Sequence, residues 1–234
     1  MEVLAVVPAR GGSKGIPGKN LVEVCGRPLV AWSVAAGLAA STVDRVVVST
    51  DDADIAAAGR AAGAEVPFLR PESLAGDLVA DLPVFQHVLE RLAADEGYEP
   101  DLVVQLRPTS PVRPAGLIDD GVGRLAGEPS ADSLRAVCPA PSTPYKMWRI
   151  DDGWLDPLLG TVDDELFNRP RQTLPPVHWQ IGTLDVIRAP VIRAGSMSGR
   201  RILALEVDAS LAVDIDRPED IERAARALAG AGLV

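Results

Sequence analysis

Apolar runs alternate with amphipathic stretches along most of this chain, and that alternation limits the possible folds more than any other feature. Residues 3–7, 46–48, 102–104 and 134–137 read as buried strands. Between the first three lie helical stretches at 29–40, 53–62 and 82–94, and a further helix is expected over 115–125 with Pro114 ahead of it. Such alternation predicts βαβ units, hence an α/β fold with a mostly parallel central sheet and helices on both faces. Strand patterns return at 183–187 and 202–207, and a last helix is expected after Arg217-Pro218-Glu219-Asp220. Sites in such sheets gather at the carboxyl ends of the strands. Here those ends carry residues 10–20, Ser49-Thr50-Asp51-Asp52 and residues 105–113.

The loop after the first strand reads Ala9-Arg10-Gly11-Gly12-Ser13-Lys14-Gly15-Ile16-Pro17-Gly18-Lys19-Asn20. Four glycines allow close backbone approach to a ligand, and three cations share the loop. Only three lysines stand against twenty arginines in the chain, yet two of them, Lys14 and Lys19, are here. A compact ammonium is therefore favoured at this place. A P-loop would need glycine where Ser13 stands and a hydroxyl residue where Asn20 stands, and no G-x-G-x-x-G is present. A plain β-to-α turn with incidental charge needs one or two glycines, not four with three cations. The loop reads as a polyphosphate cradle.

Charge sharpens this reading. The 234-residue chain has a formal net charge of −10, which argues against nucleic acid as partner and demands local cations, with a metal ion, for an anionic ligand. No apolar stretch reaches membrane-spanning length, and no signal-peptide pattern opens the sequence. Cys25 and Cys138 lack any C-x-x-C spacing and read as reduced thiols of a cytoplasmic protein. His87 reads as a partly buried helix histidine.

Asp214-Ile215-Asp216 follows an apolar run. In extended backbone both carboxylates point to one side, which suits a magnesium ion; the alternative makes Asp216 only the cap of the following helix. Residues 105–113 join hydroxyls, prolines and the guanidinium groups of Arg107 and Arg113, which can grip a carboxylate. Arg169-Pro170-Arg171-Gln172 is a second basic cluster, open between an anion site and a solvated face. It lies in the irregular span 139–176, rich in proline and containing Trp148 and Trp154, which reads as a small excursion packing on a second subunit. No Ser-His-Asp or Cys-His pairing offers a nucleophile, which leaves attack by a substrate oxygen on phosphorus.

These motifs, in this order, resemble the acylneuraminate cytidylyltransferases, the CMP-sialic acid synthetase family. The loop 9–20 is similar to the family signature A-R-x-x-S-K-x-x-x-x-K-N. Ser49-Thr50-Asp51, Leu69-Arg70-Pro71, Pro108-Thr109-Ser110-Pro111 with Arg113, Pro170-Arg171-Gln172 and Asp214-Ile215-Asp216 follow along nearly the whole chain. The resemblance implies one Rossmann-like nucleotidyltransferase domain over 1–234, a homodimer, joining CMP from CTP to a nine-carbon acidic sugar. It assigns Ala9, Arg10, Gly11, Gly12, Ser13, Lys14, Lys19, Asn20 and Arg70 to the nucleotide, with Arg10 and Lys19 countering triphosphate charge. It assigns Arg107, Thr109, Ser110, Arg171 and Gln172 to the sugar acid. Asp214 and Asp216 would hold Mg2+, with Asp214 also taking the proton of the attacking hydroxyl. Two departures fall on the acceptor side: Arg107 where many members have Gln, and Trp179-Gln180-Ile181-Gly182 where many have Arg-Pro-Asn-Gly. They leave room for a Kdo-like or phosphonate acceptor. An Asp-x-Asp glycosyltransferase and a non-catalytic nucleotide-binding module are the competing readings.

Overall fold

The computed structural model describes all 234 residues. In chain order the elements are β1 (Val3–Pro8), β2 (Glu23–Val24), β3 (Arg27–Pro28), α1 (Leu29–Ala39), β4 (Arg45–Ser49), α2 (Ala53–Ala61), α3 (Asp81–Glu96), β5 (Leu102–Gln105) and α4 (Leu117–Gly127). There follow β6 (Ser133–Pro139), β7 (Trp148–Asp151), β8 (Trp154–Pro157), β9 (His178–Arg188), α5 (Ala189–Arg193), β10 (Ile202–Glu206) and α6 (Pro218–Gly230). The main sheet has the order β10-β6-β9-β5-β1-β4. Its pairs are parallel except where β9 runs antiparallel between β5 and β6.

Alternation along each strand sorts the core into two halves. Val3, Ala5 and Val7 of β1 face the larger cluster with α1, α2, α4 and α6, whereas Leu4 and Val6 face a smaller one with α3 and α5. Strands buried on both faces must read as continuous apolar runs, and β1, β4 and β5 do. The helices begin and end within a few residues of the expected positions. The 183–187 run proves to be part of the longer antiparallel β9, a direction that periodicity does not encode.

His87 lies on α3, edge-on to Phe68 with ring centroids 5.2 Å apart, and burial pushes its pKa down. Both cysteines are free, Cys25 exposed and Cys138 buried. No helix is long and apolar enough to cross a membrane. Between β6 and β9, residues 140–177 hold the β7–β8 hairpin and several single-turn helices.

Phe85 is fully buried in the smaller cluster. Phe85→Ala is expected to cost about 3–5 kcal/mol of stability, read from the midpoint of urea unfolding.

Candidate active site

A cavity of about 270 Å3 opens at the carboxyl ends of β1 and β5, walled by Arg10, Ser13, Lys19, Asn20, Arg70 and Thr109 among others. Parallel pairing of β1 with β4 and β5 brings their carboxyl-end loops to one edge of the sheet. The loop after β1 is braced from below. Asn20 is buried and its Nδ2 donates to the Arg10 carbonyl at 2.8 Å, while Gly11 N donates to Asp51 Oδ1 at 3.0 Å. Of the two neighbouring acids, Asp52 caps α2 through Asp54 N and Ile55 N at 2.8 and 3.0 Å. Asp51 therefore shapes the loop and Asp52 the helix.

Two of the four loop glycines, Gly11 and Gly15, are required by close neighbours, whereas Gly12 and Gly18 face open space. A Cβ at Gly15 would collide with the Asp216 carbonyl oxygen, and one at Gly11 would crowd the Asp52 side chain. Ala9 points into the core, and Gly11 and Gly12 are not cavity walls. What Gly11 and Gly12 can offer a ligand is backbone, as the glycine-rich loop implies.

Lys19 joins the two ends of the chain. Its Nζ donates to the Ile215 carbonyl at 2.9 Å and to Asp216 Oδ1 at 3.0 Å. Ile215 N in turn donates to the Thr109 carbonyl at 2.9 Å. Ile215 is buried while Asp214 and Asp216 are exposed on either side of it. The expected common direction of the two carboxylates fits that burial pattern. Asp216 does not cap α6; Asp220 does so, accepting from Asp216 N and Arg217 N at 3.1 and 2.8 Å.

The cradle's other cations are also engaged. Arg10 reaches Asp77 Oδ1 at 3.1 Å and Lys14 reaches Asp77 Oδ2 at 2.6 Å. The hydrogen bond from Lys14, with the charge of Arg10, holds the Asp77 carboxyl below its usual range. Arg70 is buried and donates to the Ser49 carbonyl and hydroxyl. Burial, with Arg10 nearby, pulls its pKa below the ordinary arginine value.

On the acceptor side several expectations change. Arg107 lines the cavity, but it is tied to Asp185 and Asp81. Ser110 is 1% exposed, with its Oγ pressed against the face of Gly182 where a Cβ would sit. It packs beneath the loop, and its buried Oγ has no hydrogen-bond partner. Arg113 is not a free guanidinium either. At 4% exposure it donates inward to the Thr183 carbonyl (2.6 Å), Ser33 Oγ (3.1 Å) and the Arg107 carbonyl (2.8 Å). Burial, reinforced by Arg107, lowers its pKa to about 9, so it remains charged at neutral pH. Arg171 and Gln172 lie apart from Thr109, in a second cavity of about 540 Å3 with Thr143, His178 and Glu206. Within one chain they do not meet the walls of the first cavity. Asp77, Asp81 and Asp185 were not foreseen. Single acids in a loop, at a helix start and in a strand carry no motif.

A family model described as cytidylyltransferase matches residues 4–139, more than half of the chain. The chain belongs to the cytidylyltransferase family. It is 44% identical over 113 residues to a CMP-N,N'-diacetyllegionaminic acid synthase of Legionella pneumophila, covering 48% of each protein. It is 39% identical over 92 residues to a pseudaminic acid cytidylyltransferase of Campylobacter jejuni, covering 39% of this chain and 40% of that one. With an N-acylneuraminate cytidylyltransferase of Escherichia coli it shares 26% identity over 223 residues, 95% of this chain and 51% of the other. The chain thus spans about half or less of these curated relatives' length. A solved CMP:2-keto-3-deoxy-manno-octonic acid synthetase complexed with CTP has the same fold, with a TM-score of 0.73 at 18% identity over 98% of this chain and 99% of that one. The Rossmann-like nucleotidyltransferase architecture implied by the motifs is therefore present.

Because Asp77 occupies Arg10 and Lys14, Asp77→Asn is expected to tighten CTP binding by up to about fivefold. Calorimetry at low and high salt checks this, with the gain shrinking as salt rises.

Proposed function

We propose that this protein transfers CMP from CTP to the anomeric hydroxyl of a nonulosonic acid and releases pyrophosphate. The observation that carries this reading is the Lys19 bridge. It ties the cationic loop after β1, whose Lys19 walls the cavity, to the Ile215 carbonyl and the Asp216 carboxylate near the other end of the chain, with Asp214 two residues before Asp216. In this reading the triphosphate takes Arg10 and Lys14 from Asp77, while Asn20 and Arg70 shape the wall against the base. The acceptor oxygen attacks the α-phosphorus, the bond to the β-phosphate oxygen breaks, and Asp214 receives the hydroxyl proton. Arg10 and Lys19 meet the charge that grows on the leaving pyrophosphate.

The donor set fits a magnesium ion. Mg2+ takes one or two carboxylates and completes its shell with water and phosphate oxygens. Asp214 and Asp216 offer hard oxygens to one side, and Lys19 occupies only Oδ1 of Asp216. Bound there, the ion would neutralise triphosphate charge; Asp214 and Asp216 would hold it.

Thr109, Arg107, Arg171 and Gln172 are the acceptor residues of this reading. A second acceptor class, Kdo-like sugars, is supported by a 37% identity over 126 residues to a 3-deoxy-manno-octulosonate cytidylyltransferase of Anaeromyxobacter. Homodimerisation is proposed through the excursion, where Trp154 is 80% and Ile150 76% exposed.

Incubation with CTP, Mg2+ and a panel of pseudaminic, legionaminic, N-acetylneuraminic and Kdo acids, followed by pyrophosphate detection, tests the reaction. No release with any acid, together with hydrolysis of a nucleotide sugar, would overturn it. Lys19→Ala is expected to reduce kcat by about 100-fold or more while changing CTP affinity far less, because its charge matters most in the transition state. Trp154→Glu is expected to shift a dimer to monomer in size-exclusion chromatography.

A further inference from the structure

The acceptor end of the cavity holds a guanidinium whose charge is already matched. Arg107 reaches Asp185 Oδ2 at 2.8 Å and Asp81 Oδ2 at 3.1 Å. Asp185 is 2% exposed, so solvent does not compete for it. Strand register fixes its place, opposite Gln105 of β5 on one side and Arg135 of β6 on the other. Arg135 Nε stands 3.8 Å from Asp185 Oδ1. Gln105 Nε2 holds Asp81 Oδ2 at 2.7 Å, which steadies the other end. The row Arg135, Asp185, Arg107, Asp81 therefore alternates in sign and sums to zero. Burial works against the charge on Arg107, but Asp185 and Asp81 outweigh it and hold its pKa above the ordinary value.

A guanidinium so paired keeps little attraction for a further anion, because any anion that approaches it also approaches Asp81. Its hydrogen-bonding power is not spent, since each terminal nitrogen has one N–H engaged and the rest remain to donate. Resting on the cytidylyltransferase reading above, we infer that Arg107 is a specificity-determining residue that donates to a neutral oxygen of the acceptor, a hydroxyl or an acyl carbonyl. The same row rejects a dianionic acceptor such as a phosphonate through the uncompensated second charge it would bring against Asp81. An extra guanidinium at this position thus selects for a sugar monocarboxylate, the reverse of what its charge alone implies.

Calorimetric titration of 2-hydroxyethylphosphonate into the full chain at alkaline pH reads this directly, without turnover. The wild type is expected to bind it more weakly than it binds the preferred sugar acid, and Asp81→Asn to tighten it by about fivefold or more. Phosphonate binding tighter than the sugar acids, or unchanged in Asp81→Asn, would overturn the assignment. Two variants of Arg107 give an independent arm. Arg107→Gln, which keeps a neutral donor, is expected to retain more sugar-acid affinity than Arg107→Leu; equal losses would overturn the neutral-oxygen contact. Failure of every sugar acid to release pyrophosphate rejects the reaction instead, and the phosphonate titration still judges Arg107.

Discussion

One ammonium group holds the site together. Lys19 reaches residues 196 and 197 positions further along the chain, and its two bonds fasten the Asp214–Asp216 segment to the loop after β1. That segment belongs to neither a helix nor a strand, so ladder bonds do not position it. Its place comes from tethers: Lys19 and Thr109 on Ile215, the Thr183 hydroxyl on Leu211 at 3.1 Å, and Arg223 on Ala212 at 3.1 Å. Gly15 completes the fit, since only a residue without Cβ lets the loop lie on the Asp216 carbonyl. The carboxylates stand where they do because the phosphate loop does.

Those contacts also answer the electrostatic problem of gathering three cations in one short loop. Arg10, Lys14 and Lys19 pair with Asp77 and Asp216. The loop is therefore not a cluster of repelling cations in water. Three cations in one short loop repel one another, and partners that a ligand can displace relieve that cost. The two carboxylates offset most of the charge of the three cations and hold the loop in shape.

Much of this was legible in the sequence because it was local. Strands buried on both faces declare themselves as apolar runs, and the loop's glycines and cations lie side by side. The Asp pair was visible by spacing two, though its link to Lys19 was not. What stayed hidden depends on partners distant in sequence. Arg113 and Ser110 share one loop with Arg107 and Thr109, yet the former pair points into the core and the latter lines the cavity. Residue type does not distinguish an arginine that satisfies three buried acceptors from one that meets a ligand. Asp185 gives the same lesson from the other side, an acid within an apolar run whose meaning lies in register with β5 and β6. Arg171 and Gln172 stand out in the sequence beside Arg169, but their distance from Thr109 within one chain follows from topology alone.

The antiparallel β9 has an effect beyond ordering the sheet. It lies beside β6, the strand that precedes it in the main sheet, and the ladder runs to Pro139 and His178 before Ala140 N closes on the Val177 carbonyl at 3.0 Å. The whole excursion is thus the tip of one oversized hairpin whose stem is already welded shut. Lengthening such a tip adds chain entropy only slowly, and no residue of the excursion walls the cavity at the ends of β1 and β5. Such a tip can be replaced wholesale, as one exchanges a tool head on a fixed handle, without disturbing the strands that carry the cavity.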